Sequence, residues 1–228
     1  MKKGGGAGGS KDLFSAPEKT GGQGGIRRAS AGLRAALLNG RKLCMARIIQ
    51  PEELQGDDTV ALARWLLGKT LVRTTARGRT ACIITEVEAY DGEHDLACHA
   101  SKGRTKRTEV MYKSGGIWYV YLCYGVHEML NLVTGPADYP AAVLIRGVSG
   151  ITGPGRLTKR LKINRRLNGQ IARPASGLHL EDRGLDIPRR QLKSGPRIGV
   201  DYAGPVWSRK PWRFYFDPAT LAGAAVDL

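Results

Sequence analysis

Residues 80–90 read TACIITEVEAY. The apolar run Ala81–Ile84 is followed by Glu86 and Glu88 alternating with Val87 and Ala89, and Tyr90 stands just before an Asp91-Gly92 turn signal. Successive side chains of a strand point to opposite faces, so Glu86, Glu88 and Tyr90 share one face. The segment therefore predicts a strand that is apolar at one end and carries two carboxylates and a ring at the other. A solvated strand face accounts for that pattern without chemistry. A carboxylate beside apolar neighbours is also desolvated and can be tuned as a base, so both readings stand at this point.

On the N-terminal side, residues 70–75 read as a second strand. Before it, VALARWLLGKTL at 60–71 repeats Val60, Leu62, Trp65 and Leu66 at helical spacing with Gly68 at a C-cap position, which predicts an amphipathic helix. On the C-terminal side, a polar loop from Gly92 to about Ser114 carries Lys102, Arg104, Lys106 and Arg107. A strand over Ile117–Tyr124 closing on Gly125 follows, then a short helix-like stretch from His127 to Leu132 and an apolar strand over 141–148, AAVLIRGV. The run GPGRLTKRLKINRRLNG at 153–169 predicts a basic helix introduced by a Pro-Gly turn, holding Arg156, Lys159, Arg160, Lys162, Arg165 and Arg166. No internal repeat or heptad interrupts this order, and 228 residues suit one main domain.

Charge narrows the partners. The chain has 36 Lys+Arg against 20 Asp+Glu, a net charge of +16, which points to a polyanion. Residues 1–44 hold nine of the cations, two acids and 11 of the 31 glycines, so the remainder, 27 against 18, is still +9. Glycine runs such as Gly4–Gly6 and Gly21–Gly25 predict disorder over residues 1–25. Residues 26–44 have the Arg-rich, acid-free composition of an organelle transit peptide, but the stronger reading is a DNA-tethering arm or an extension without a folded role. The first 40 positions lack the apolar core of a secretory signal, and no run approaches the ~20 apolar residues of a spanning helix, so no membrane partner is expected. Cys44, Cys82, Cys98 and Cys123 form no CxxC pair, which suits a reducing, intracellular setting.

Two further places carry chemistry-bearing residues. In Ile117–Gly125, IWYVYLCYG, Tyr119 and Tyr121 share one face while Trp118 and Tyr124 share the other, and Gly125 can make a turn that leaves Tyr124 at a tip. Aromatic residues favour strands, so core packing explains them. Four of the chain's 15 aromatic residues within seven positions of a basic protein also suit base stacking. The histidines are His94, His99, His127 and His179; the spacing His94-x3-Cys98-His99 lacks the second ligand pair of a zinc site, so no metal is expected. Walker A, GxSxG, HExxH and zinc-deaminase signatures are missing and no GxGxxG follows a strand, which argues against nucleotide-driven enzymes, dinucleotide oxidoreductases, α/β-hydrolases, zincins and deaminases.

The strings ITEVEAYDGEHDLACHA, GRTKRTEVMY, WYVYLCYGVHEMLN, AAVLIRGV, GPGRLTKRLKIN and RIGVDYAGPVWSRKPWRFY, in that order over residues 47–217, resemble the alkyladenine (3-methyladenine) DNA glycosylase family. The resemblance implies an α+β fold: one mixed domain around a curved, mostly antiparallel sheet with flanking helices, without a helix-hairpin-helix module. It implies base-excision repair of duplex DNA carrying 3-methyladenine, 7-methylguanine, hypoxanthine or ethenoadenine, by a monomer without cofactor or metal. By the same resemblance Glu88 is the general base, Arg146 holds the attacking water and a nearby phosphate, and the Ile198 carbonyl is the third contact to that water. Tyr90 forms one wall of the base pocket and His99 with Tyr121 the other. Tyr124 enters the minor groove, and Asn131 disfavours normal guanine. The basic run with Arg156 and Lys159 is read as DNA-binding. The family's Arg-Thr-Pro-Arg-Asn run is here Arg104-Thr105-Lys106-Arg107-Thr108, which alters the expected phosphate contacts. Two other classes remain: a non-catalytic nucleic-acid-binding module, which has no need of Glu88, and a small-molecule hydrolase using Glu86 and Glu88, against which the basic charge weighs.

Overall fold

The computed structural model describes residues 46–220, together with the strand pair Leu37–Leu38 (β1) and Arg41–Lys42 (β2). Apart from that pair, the extension expected over 1–44 lies outside the described residues.

The remaining elements follow in chain order. Strand β3 is Arg47–Ile48, helix α1 is Thr59–Leu66, β4 is Thr70–Thr75 and β5 is Gly78–Asp91. Then come β6 at Trp118–Cys123, β7 at His127–Thr134, β8 at Ala141–Val148 and β9 at Ile151–Thr152. Helix α2 spans Pro154–Arg160, β10 Leu178–Asp182, β11 Lys193–Gly195, α3 Gly204–Arg209 and β12 Arg213–Tyr215. Ten strands form one sheet in the order β3-β10-β4-β5-β8-β7-β6, with β9 on β8 and β12 joining β11 to β5, and every pairing is antiparallel. This is the α+β class that the resemblance implied.

Strand β5 organises the sheet. Its first half pairs with β4, from Thr75↔Gly78 to Thr70↔Ile83. Its second half pairs with β8 on one edge and, through Glu86, Val87 and Glu88, with β12 on the other. The β5–β8 register shifts on either side of Glu86, leaving Thr85 and Arg146 outside the one-to-one pairing. Irregularities of this kind bend a strand and re-aim a side chain, and here Arg146 meets both Glu86 and Glu88.

The two faces have different fates. Val87, Ala89, Trp118, Leu132, Val143 and Ile145 belong to the main core, the Val, Leu and Ile side chains each contributing about 1.5–3 kcal/mol by burial. Helix α1 covers that face with Ala63 and Leu66, its N-terminus closed by the Asp58 side chain accepting from the Ala61 N–H at 2.8 Å. The opposite face carries the row Tyr119–Asn131–Leu144–Glu88–Arg213 across five strands. It is partly covered by a smaller cluster that includes Cys98, Met111, Tyr112, Val133 and Ala142.

Two local expectations are corrected. The stretch from His127 to Leu132 is a strand rather than a helix, because β6 and β8 supply hydrogen-bonding partners on both of its edges and alternate residues bury on both faces. In the 153–169 run the α-helix ends at Arg160: Lys162 takes φ 51°, and the Asn164 side chain accepts from the Arg166 N–H to start a separate 3-10 turn, Arg165–Leu167. The tyrosine strand ends at Cys123, which leaves Tyr124 in the turn.

Candidate active site

Glu88 is fully buried, so the solvated-face reading of residues 86–90 does not hold. Its Oε1 accepts the Ile198 N–H at 2.8 Å, and its Oε2 accepts the Tyr90 hydroxyl at 2.8 Å and lies 3.3 Å from Arg146 Nη1. Burial raises the proton affinity of this carboxyl; Arg146, the Ile198 N–H and the Tyr90 hydroxyl oppose that shift, and Glu86 adds to it. A carboxylate in this setting is a stronger base than one in water. Glu86 Oε1 accepts Arg146 Nε at 3.1 Å and Arg213 Nη1 at 3.1 Å, so the second carboxylate anchors the arginine that faces the first. Ile198 reaches Glu88 through its N–H, a contact separate from the one the resemblance implies between its carbonyl and the attacking water.

Tyr90 and Tyr121 stand on the same face of the sheet, with Ala142, Leu144, Val133 and Asn131 between them. Tyr90 stays protonated, because burial first and the adjacent Glu88 second hold its hydroxyl well above the ordinary value. On the other side the His99 ring packs edge-on against Tyr121 at 4.6 Å, and its Nδ1 lies 3.1 Å from the Tyr119 hydroxyl. Burial, aided by Arg107, lowers the His99 pKa to about 4, so the imidazole is neutral at physiological pH. Arg107 itself lies over the Tyr121 ring at 4.8 Å, which puts one cation of the departing run in the wall of the site. Asn131 is buried, its Nδ2 donating to the Tyr119 carbonyl at 3.1 Å, so it forms floor between the aromatic walls.

Tyr124 is 90% exposed at the β6–β7 tip. It takes φ 50° and Gly125 takes φ 69°, with the Val126 N–H donating to the Cys123 carbonyl at 3.1 Å. Two successive positive φ values are the mark of a tight hairpin turn, and a bulky residue adopts one only at a cost. Helix α2 packs behind this hairpin: Thr158 Oγ1 donates to the Glu128 carbonyl at 2.8 Å, and a Cβ on Gly155 would meet His127 at 2.9 Å. Arg156 and Lys159 are both exposed on that helix, while Arg165 is engaged by Glu128 at 3.2 Å.

Sequence reasoning missed two residues of this neighbourhood. The side chains of Asp95 and Arg197 are both fully buried and joined in an ion pair, and Arg197 Nη1 also donates to the Ala89 carbonyl at 2.9 Å. In a chain with 36 Lys+Arg, an arginine beside Ile198 reads as one more surface cation, and only burial distinguishes it. Nothing in the sequence shows that Glu86 binds Arg146 and Arg213. Among the described residues, His94 and Cys98 join no cluster of three or more metal-ligating side chains. No helix among them is long and apolar enough to cross a membrane.

Comparison with known proteins gives one consistent answer. A family model described as methylpurine-DNA glycosylase matches residues 53–152 and 149–219. A protein of Methanocella arvoryzae is 44% identical over 187 residues, covering 73% of this chain and 92% of the relative. One of Myxococcus xanthus is 44% identical over 175 residues, 72% of this chain and 88% of the relative, and one of Bdellovibrio bacteriovorus is 38% identical over 183 residues, 74% and 95%. All three are provisionally named as 3-methyladenine DNA glycosylases.

Proposed function

This chain belongs to the methylpurine-DNA glycosylase family, and we propose that it flips damaged purines out of duplex DNA and hydrolyses their N-glycosidic bond with Glu88 as general base. Its substrates are alkylated and deaminated purines: 3-methyladenine, 7-methylguanine, hypoxanthine and ethenoadenine. The observation that carries this reading is the fully buried Glu88 carboxylate, held by Ile198, Tyr90 and Arg146 beside a floor with aromatic walls. Burying an ionised group is costly, and a module that only stacks bases has no use for one.

A base inside the duplex hides its glycosidic bond, so the nucleotide is extruded at a cost of a few kcal/mol, least where pairing is already weakened. Stacking offsets that cost, by roughly 1–3 kcal/mol per base–ring contact. Tyr124 fills the gap left in the stack, while Tyr90 on one side and His99 with Tyr121 on the other receive the purine. Asn131, on the floor, disfavours guanine through its exocyclic amine. Arg156 and Lys159, exposed on α2 behind the same hairpin, contact phosphates and add salt-dependent affinity.

Glu88 takes a proton from the attacking water and stabilises the positive charge that develops on the sugar. Arg146, within 3.3 Å of Glu88, helps hold that water, and the Ile198 carbonyl completes its contacts. A 3- or 7-methylated purine is cationic while attached and leaves as the neutral base without an acid, whereas hypoxanthine and ethenoadenine are neutral while attached and take up a proton from water as they leave. No lysine nucleophile is assigned, so the enzyme is monofunctional and leaves an intact abasic strand. The enzyme acts as a monomer.

The test is incubation with a hypoxanthine-containing duplex, followed by analysis with and without hot alkali. Strand scission at the lesion only after alkali is the expected result. Scission without alkali overturns the monofunctional reading, and binding without excision of any of the four lesions favours the non-catalytic module.

A further inference from the structure

We propose that the buried Asp95–Arg197 ion pair is the positioning element of this site, fixing the Ile198 N–H on the Glu88 carboxylate. The inference rests on the assignment of Glu88 as base.

Three segments meet at Arg197. Its Nη1 and Nη2 both donate to the Asp95 carboxylate, Nη1 also donates to the Ala89 carbonyl at 2.9 Å, and Nη2 donates to the Trp207 carbonyl at 3.2 Å. Ala89 lies between Glu88 and Tyr90 on β5, and Trp207 lies in α3. The guanidinium also lies over the Tyr90 ring at 4.8 Å and the Trp212 ring at 5.1 Å. Asp95 in turn accepts the Asp91 N–H at 3.2 Å and the Ala97 N–H at 3.1 Å, so it is bound to the end of β5 as well. Ile198 is the next residue after Arg197, and the side chain of Ile198 is about half exposed and supplies little anchorage of its own. The forked, planar contact of an arginine with a carboxylate fixes direction as well as distance. The loop that offers its N–H to Glu88 is therefore held by its neighbour's side chain.

The pair also differs from a purely electrostatic contributor in the sign of its effect. Glu88 is faced by Glu86 and Tyr90 from β5, Arg146 from β8, Ile198 and Arg197 from the loop after β11, and, beyond Glu86, Arg213 from β12. The Ile198 N–H favours the ionised form of Glu88. Displacing it makes Glu88 harder to ionise and moves the acid limb of the pH–rate profile upward. Loss of the Asp95 negative charge, acting directly, makes Glu88 easier to ionise and moves that limb downward.

The experiment measures single-turnover excision from a hypoxanthine duplex across pH for the wild type, Asp95→Asn, Arg197→Lys and Glu88→Gln, alongside melting temperature and affinity for an abasic-analogue duplex. The acid limb should move up by roughly one to two pH units in both ion-pair variants, the worth of one charge-assisted hydrogen bond, with abasic-duplex affinity within a few-fold of wild type. Where Asp95→Asn melts too low to assay, Arg197→Lys, which keeps the charge but loses the fork, is the deciding variant. An unmoved or lowered limb in the folded variants, with Glu88→Gln inactive, overturns the positioning role alone. Full activity in Glu88→Gln overturns the assignment of the base and the inference with it.

Discussion

The Tyr90 hydroxyl donates to Glu88 Oε2 at 2.8 Å, from two residues further along the same strand face. One side chain thus combines the ring proposed as a pocket wall with a donor to the proposed base. Replacing Tyr90 by Phe separates the two. The ring and its stacking remain, so lesion-duplex affinity should change less than threefold. Loss of a hydrogen bond to the ionised carboxylate raises the Glu88 proton affinity, so the acid limb should move to higher pH by roughly one unit. A pH–rate profile that superimposes on the wild type would contradict this.

Glu88→Gln should retain affinity for lesion DNA and lose excision by about 10²–10⁴-fold, because the amide keeps the shape but cannot accept the proton from water. Glu86→Gln is the informative comparison. Glu86 acts through Arg146, so its loss should be at least tenfold smaller than that of Glu88→Gln. Single-turnover rates at saturating enzyme decide both, and equal losses would mean that the two carboxylates share the role.

Tyr124→Ser removes the ring proposed to fill the gap. For a lesion in a well-paired duplex, losing a stacking contact of about 1–3 kcal/mol should cut excision roughly five- to a hundred-fold. Opposite a mismatch, part of the unpairing cost has already been met, so the defect should shrink. Equal losses on the two substrates would count against intercalation. Because the side chain is 90% exposed, the melting temperature should not fall.

His99 predicts an acid-side loss of stability. Its folded pKa is lowered to about 4 from the usual 6.5, so the unfolded chain binds a proton that the folded chain refuses. The stabilisation is complete above pH 6.5 and is lost as pH falls toward 4. The drop in melting temperature between pH 7.5 and pH 5 should therefore be smaller in His99→Gln than in the wild type. A drop of the same size would show that the imidazole is not held neutral.

Strands β4, β5 and β8 were legible because their residues alternate or run apolar over enough positions to outweigh local noise, and Gly or Pro marks their ends. Strand β7 was not: HEMLNLV has helix-forming residues at helical spacing, and its strand state depends on partners far along the chain. Strands β11 and β12 have three residues each, too few for any period to show. In the site, Glu88, Tyr90, His99, Tyr121, Tyr124 and Asn131 came from strings specific to a family. The Asp95–Arg197 pairing did not, although both residues lie in those strings, since a buried arginine and an exposed one are the same letter. The pairing of Arg146 with both carboxylates depends on a register shift that no single strand encodes.

The left-handed backbone at Tyr124 sets this hairpin against its own durability. A tyrosine in that region costs about 1–2 kcal/mol over a residue suited to it, and at 90% exposure its ring recovers little by packing. Asn or Gly would relieve that cost at once. Selection for thermostability alone would therefore discard Tyr124 early, and a library screened by heat and a library screened by repair should diverge at this position first.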